Sequence, residues 1–210
     1  MKILFFGDSI TESGRDYQAS VDMPQSYGMG YVNFVAAEIL SKDPLNNTVI
    51  NRGEGGDKIV DLYARIRRDV WNLEPDFLSI LIGVNDVLHE NSKNGVEIDR
   101  FDKLYRMIVE ETKQRLPNTK ILICEPFLML SEAGTNSADY KKIKLYAKKV
   151  QKIEQDYGLY FLSLQDALEE KVRKYDLKTY FYDGIHPSIT GAKLIADEWL
   201  KKFKEIQEGV

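Results

Sequence analysis

Short apolar runs alternate along this chain with longer segments whose apolar positions recur every three or four residues. The runs lie at 3–6, 48–50, 77–82, 121–124 and 160–164. Each is only a few residues long, rich in β-branched or aromatic side chains, and followed by Gly, Asn, Asp or Pro. Buried parallel strands read this way, because both faces of such a strand are covered.

The segments between them predict helices at 31–40, 57–71, 101–116, 140–157 and 188–203. In the first, Val32, Val35, Ala36 and Ile39 share a face; in the second, Ile59, Leu62, Ile66 and Val70 do. Pro117 stops the third and Gly158 ends the fourth. Strand and helix in alternation predict a three-layer α/β/α sandwich. The expected core is a flavodoxin-like five-stranded parallel sheet in the order 2-1-3-4-5. One domain over 1–210 is expected, with no repeat or linker. Two loops are long for their place, 11–30 and 127–139, and both follow the carboxyl end of a strand, where open α/β sheets bind ligands.

Composition narrows the classes. The 210 residues carry 29 basic and 33 acidic side chains, a net charge of −4, which argues against a nucleic-acid binder. A chain of this size buries about 70% of its unfolded surface, enough for a core without staples. The single cysteine, Cys124, excludes an internal disulfide and a cysteine zinc cluster. The apolar stretch at 3–6 is too short for a signal peptide, and no run reaches the ~18 apolar residues of a membrane span. The expectation is a soluble, cytoplasmic protein with no membrane partner.

Four motifs then follow predicted strands or precede the last helix. Gly7-Asp8-Ser9 follows the first strand, where a serine hydroxyl can point outward beside backbone N–H groups. Asn51-Arg-Gly-Glu-Gly-Gly-Asp57 follows the second, and its glycines permit positive φ and close backbone approach. Gly83-Val-Asn85-Asp86 follows the third; the Asn amide can donate to an oxyanion, and Asp86 can cap the next segment or pin the loop. Asp183-Gly-Ile-His186-Pro-Ser188 precedes the last helix, and its spacing lets a carboxylate reach its own histidine. Each motif read alone is also an ordinary turn or cap. Together, at one end of one sheet, they supply a nucleophile, an orienter and base, and anion donors, the parts of acyl transfer.

The chain has two histidines, so a Ser–His mechanism must use His89 or His186. His89, on a stretch expected to be exposed, has no orienting turn. Cys124 ends an apolar strand and reads as a small buried hydrophobe rather than a thiolate.

These blocks resemble the SGNH hydrolases, also called GDSL esterases, over nearly the whole chain. GDSI at 7–10 is similar to the family's first block, NRGEGGD at 51–57 to the second, GVND at 83–86 to the third and DGIHP at 183–187 to the fifth. Ile10 stands where Leu is usual. The resemblance implies a Ser9–His186–Asp183 triad. It also implies an oxyanion hole of the Ser9 and Gly56 N–H groups with the Asn85 side chain; Gly53 and Gly55 are alternatives to Gly56 in the same turn. Neither metal nor other cofactor is implied.

Gly14-Arg15, Gly28-Met-Gly-Tyr-Val32, Pro75-Asp-Phe-Leu-Ser-Ile80 and Glu125-Pro-Phe127 resemble segments of the family's acetyl-xylan and other carbohydrate esterases. Tyr182 stands where those enzymes often carry Trp. The implied substrate is a small ester, an acetylated oligosaccharide such as a xylo-oligosaccharide, and homo-oligomers occur in that group. Tyr17, Tyr27, Tyr31, Phe181 and Tyr182 are candidates to stack on sugar rings, with loop and core packing as their alternative. A lysophospholipase or acyl-thioesterase with the same triad, a flavodoxin-like phosphate-binding module and an inactive scaffold remain as competing readings.

Overall fold

The computed structural model describes residues 1–132 and 135–209. Strands β1 (Lys2–Gly7), β2 (Thr48–Gly53), β3 (Phe77–Leu81), β4 (Lys120–Cys124) and β5 (Tyr160–Leu162) form one parallel sheet in the order β2-β1-β3-β4-β5, as expected. The helices are α1 (Ser9–Glu12), α2 (Tyr31–Lys42), α3 (Ile59–Asp69), α4 (Val84–Leu88), α5 (Ile98–Arg115), α6 (Ser137–Tyr157), α7 (Gln165–Lys174), α8 (Leu177–Tyr180) and α9 (Ile189–Glu208).

Successive strand residues point to opposite faces of a sheet, and β1 shows which helices cover each face. The Phe5 ring meets Tyr31 of α2 and Trp199 of α9, with centroids 5.7 and 4.9 Å away. Phe6 points the other way, against Arg65 of α3. Trp199 is the hub of the first face. It touches Phe77 and stacks on Phe203, and its Nε1–H donates to the buried Ser79 Oγ at 2.9 Å. On the second face, α3 packs on α5 and α5 on α6.

Register places the motifs together. Gly7 pairs with Gly53 on one side and with Leu81 on the other, so the first three motifs leave the sheet at the same height. A side chain at Gly7 has no room: its Cβ would lie 2.3 Å from the Leu81 carbonyl oxygen and 2.5 Å from Thr11 Oγ1.

The elements depart from expectation where tertiary contacts set the ends. α3 begins at Ile59 rather than Asp57, because Lys58 is extended (φ −112°, ψ 174°) and the Asp57 carboxylate is drawn to Arg65. α6 begins before Tyr140, where Asn136 Oδ1 accepts from the Ala138 and Asp139 N–H groups, a side-chain cap. α5 starts at Ile98, and α9 runs to Glu208. α4, α7 and α8 were not expected. The start of α7 is fixed at long range by Glu125 Oε2, which accepts from Ser163 Oγ, Leu164 N–H and Gln165 N–H. The loop at 11–30 holds the end of α1 and a 3₁₀ turn at Pro24–Tyr27. Part of the loop at 127–139, Ala133 and Gly134, lies outside the described residues, as does Val210.

Candidate active site

Ser9 opens the first turn of α1, directly after β1. Asp8 caps that turn through Oδ1, which accepts the Ile10 N–H at 3.0 Å. The Ser9 Oγ lies 2.9 Å from His186 Nε2.

His186 sits on a small hairpin between α8 and α9. Phe181 pairs with Pro187, and the Tyr182 N–H donates to the His186 carbonyl at 3.0 Å. Asp183 Oδ1 accepts the N–H groups of Ile185 and His186 at 2.9 and 2.8 Å, and Oδ2 faces His186 Nδ1 at 2.7 Å. Partial burial pushes the Asp183 carboxyl up, but the hydrogen bonds from the His186 ring and the two N–H groups outweigh it and hold it below the usual range. An ionised Asp183 accepts a proton-bearing Nδ1, which leaves Nε2 as an acceptor for the Ser9 hydroxyl.

The glycine turn after β2 divides its work. Asn51 is buried; its Nδ2 donates to the Thr11 and Tyr27 carbonyls at 2.7 and 2.9 Å, and its Oδ1 accepts the Gly53 N–H at 2.9 Å. The Gly53 N–H is therefore occupied, and a Cβ there would lie 2.2 Å from the Glu12 nitrogen. A Cβ on Gly55 would stand 4.0 Å from the Ser9 Cβ. Gly56 has φ +82°, and no heavy atom lies within 4 Å of where its Cβ would stand.

Asn85, in α4, directs Nδ2 to the Asp57 carbonyl at 3.0 Å. An amide nitrogen has a second hydrogen to give. Asp86 is fully buried and receives the Ile59 N–H at the start of α3, at 3.1 Å to Oδ1. Asp86 was expected to cap the next segment or pin its own loop; it holds instead the start of α3, 27 positions earlier. Burial, reinforced by the charge of Asp8, pushes its carboxyl up to about 7. Asp8 is raised to about 7 as well, mainly by burial. Burial also lifts Asp57 to about 6 against the pull of Arg65.

The other sequence candidates fall outside this arrangement. Burial pushes the Cys124 thiol up to about 12, so it carries no thiolate near neutrality. His89 lies in a 3₁₀ turn at His89–Ser92 and is half-buried rather than exposed. Three of the five candidate stacking aromatics are core residues instead: Tyr27, Tyr31 and Phe181 are buried, and the Tyr31 hydroxyl bonds Thr11 Oγ1. Tyr17 and Tyr182 are exposed. For these three rings the core-packing alternative holds; loop position in sequence does not report side-chain direction.

Sequence reasoning marked Arg15 only through the resemblance at Gly14-Arg15 and missed Arg65. Arg15 is buried and donates from Nε to the Gly53 carbonyl at 2.8 Å. Arg65 stands beside the apolar stripe of Ile59, Leu62 and Ile66, and a cation bordering a buried stripe was the available signal. Among the described residues no group of three or more His, Cys, Asp or Glu side chains is placed to hold a metal ion. No described helix is long and apolar enough to cross a membrane.

Comparison with known proteins places this geometry in a family. The GDSL-like Lipase/Acylhydrolase family matches residues 5–194. An acetylxylan esterase of Geobacillus stearothermophilus is 30% identical over 208 residues, 96% of this chain and 93% of that protein. Its crystal structure superposes with a TM-score of 0.85 at 29% identity, covering 96% and 93% of the two chains. That enzyme has also been solved as catalytic mutants in which a serine or an aspartate is replaced by alanine. A putative GDSL-like lipase of Parabacteroides merdae superposes with a TM-score of 0.91 at 33% identity, covering 96% and 94%. The protein belongs to the GDSL-like lipase/acylhydrolase family and is a carboxylic-ester hydrolase of the SGNH type.

Proposed function

We propose that the protein is a serine esterase that removes short acyl groups, acetyl foremost, from carbohydrates such as xylo-oligosaccharides. The observation that carries this reading is the continuous relay from Ser9 Oγ to His186 Nε2 at 2.9 Å and from His186 Nδ1 to Asp183 Oδ2 at 2.7 Å. The sugar substrate is supported by the likeness to the Geobacillus acetylxylan esterase over nearly the full chain.

In this mechanism His186 takes the Ser9 proton as Oγ attacks the ester carbonyl. Asp183 keeps the ring in the accepting tautomer and stabilises the imidazolium. The oxyanion is received by the N–H groups of Ser9 and Gly56 and by the second Nδ2 hydrogen of Asn85. Gly56 is assigned rather than Gly53 because the Gly53 N–H is already taken by Asn51 Oδ1. His186 then protonates the departing sugar alcohol. Water, deprotonated by the same ring, attacks the acyl-enzyme and frees the acid and Ser9.

The test is hydrolysis of p-nitrophenyl acetate and a series of acetylated sugars by wild type and by Ser9→Ala. The variant should fold normally and lose at least about 10³-fold in turnover. Near-wild-type turnover by a folded Ser9→Ala would overturn the nucleophile. A rate profile over acetyl, butyryl and octanoyl esters should fall with chain length; preference for the longest would favour a lysophospholipase or thioesterase instead.

A further inference from the structure

We propose that Arg65 is the positioning residue of the oxyanion hole, an inference that rests on Ser9 being the nucleophile. Its guanidinium is buried, with the side chain 9% exposed and Cζ 4.5 Å from the Phe6 ring centroid. Nη2 donates to the Gly7 carbonyl at 3.0 Å and Nη1 to the Arg52 carbonyl at 2.9 Å. Nε donates to Asp57 Oδ2 at 2.7 Å, and Nη1 also reaches Asp69 Oδ2 at 3.0 Å.

Three of these acceptors, on Gly7, Arg52 and Asp57, belong to the segments that carry the anion donors. The Gly7 carbonyl lies in the peptide entering Asp8-Ser9, and it also accepts the Glu54 N–H at 3.0 Å. The nucleophile turn and the glycine turn are thus tied at one oxygen, and Arg65 holds that oxygen. Asp57 closes the glycine turn just after Gly56, and its own carbonyl receives Asn85 Nδ2. One planar cation therefore spans the Ser9 turn, the Gly56 turn and, through Asp57, Asn85.

Geometry explains why the residue is arginine. Five N–H groups in a rigid fork serve four acceptors at fixed angles; an ammonium is a single point with three donors. Hydrogen bonds to backbone carbonyls at the ends of two neighbouring strands fix the relative position of the turns above them. Oxyanion donors act only when held within about 0.5 Å of the productive geometry. Loosening the fork should therefore weaken transition-state binding and leave ground-state binding nearly untouched.

Arg65→Lys in the full chain tests this. A fluorophosphonate probe, reacted to completion, counts competent sites, so that kcat is expressed per labelled Ser9 and loss of folded protein does not enter. For p-nitrophenyl acetate, kcat per site should fall about 10- to 100-fold with KM changed by less than about threefold. Inhibition by phenylboronic acid, whose serine adduct is tetrahedral, should weaken in parallel with kcat. An unchanged kcat per site, or a loss confined to KM, would overturn the role of Arg65. Should Arg65→Lys yield no folded protein, Asp57→Asn loosens the same fork from the other side. It should give the same kcat-weighted loss at about 3- to 10-fold, and an unchanged kcat would again count against the proposal. Failure of wild-type Ser9 to take the probe would instead overturn the nucleophile on which the proposal rests.

Discussion

Two neighbouring residues of α4 play separate parts. Asn85 turns its amide toward the glycine turn, and Asp86 is sunk beneath it, holding the first N–H of α3. Burial keeps the Asp86 carboxyl protonated to about pH 7, and the nearby Asp8 adds to the effect. The native state therefore binds this proton more tightly than the unfolded chain, whose aspartates ionise near pH 3.9. The stability that comes from the neutral carboxyl is full below about pH 4 and is lost as pH rises toward 7. Asp86→Asn keeps an acceptor for the Ile59 N–H and removes the charge. The difference in Tm, variant minus wild type, should grow from about pH 4 to about pH 7 and level off above. Thermal unfolding across that range measures it, and a difference independent of pH would contradict the assignment.

At the scale of elements, the strands and the long amphipathic helices were legible because their periodicity reports burial directly. Phe5 and Phe6 are both buried, one against each helical layer, so the run at 3–6 read correctly as a strand covered on both faces. What could not be read was set by distant contacts. α7 carries few apolar side chains, and its start depends on Glu125, about 40 positions earlier. The hairpin bearing His186 is held the same way. Gly184 has φ +90°, and its Cβ would lie 2.4 Å from the Met129 carbonyl oxygen. Its own carbonyl accepts the Met129 N–H at 2.8 Å. Gly184→Ala adds left-handed strain of about 1–2 kcal/mol and a clash with the 127–132 segment. It should lower stability by about 1–3 kcal/mol and reduce esterase kcat more than stability alone explains. Denaturant unfolding together with kcat measures both, and a variant with wild-type kcat would show that this contact does not position His186.

At the scale of the molecule, parallel strands in the order β2-β1-β3-β4-β5 bring the ends of β1, β2 and β3 side by side. Ser9, Gly56 and Asn85 follow from that order, and α9 closes beneath the His186 hairpin. This much of the candidate site was legible because each motif is local: a few residues after a strand end carry both the turn chemistry and the candidate group. Arg65 was not, since its meaning lies in carbonyls that only the folded sheet aligns. The stacking aromatics were not either, since Tyr27, Tyr31 and Phe181 spend their surface on the core. Tyr17 and Tyr182 remain exposed, and Tyr182 directly precedes Asp183. The central claim is that Ser9 carries the acyl group between two half-reactions. Acid quenching during steady-state hydrolysis of p-nitrophenyl acetate, followed by peptide mass mapping, tests it most directly. The peptide containing Ser9 should carry an acetyl group on that serine, and the group should clear once substrate is exhausted. Turnover with no acetyl on Ser9, or with acetyl on another residue, would contradict the account.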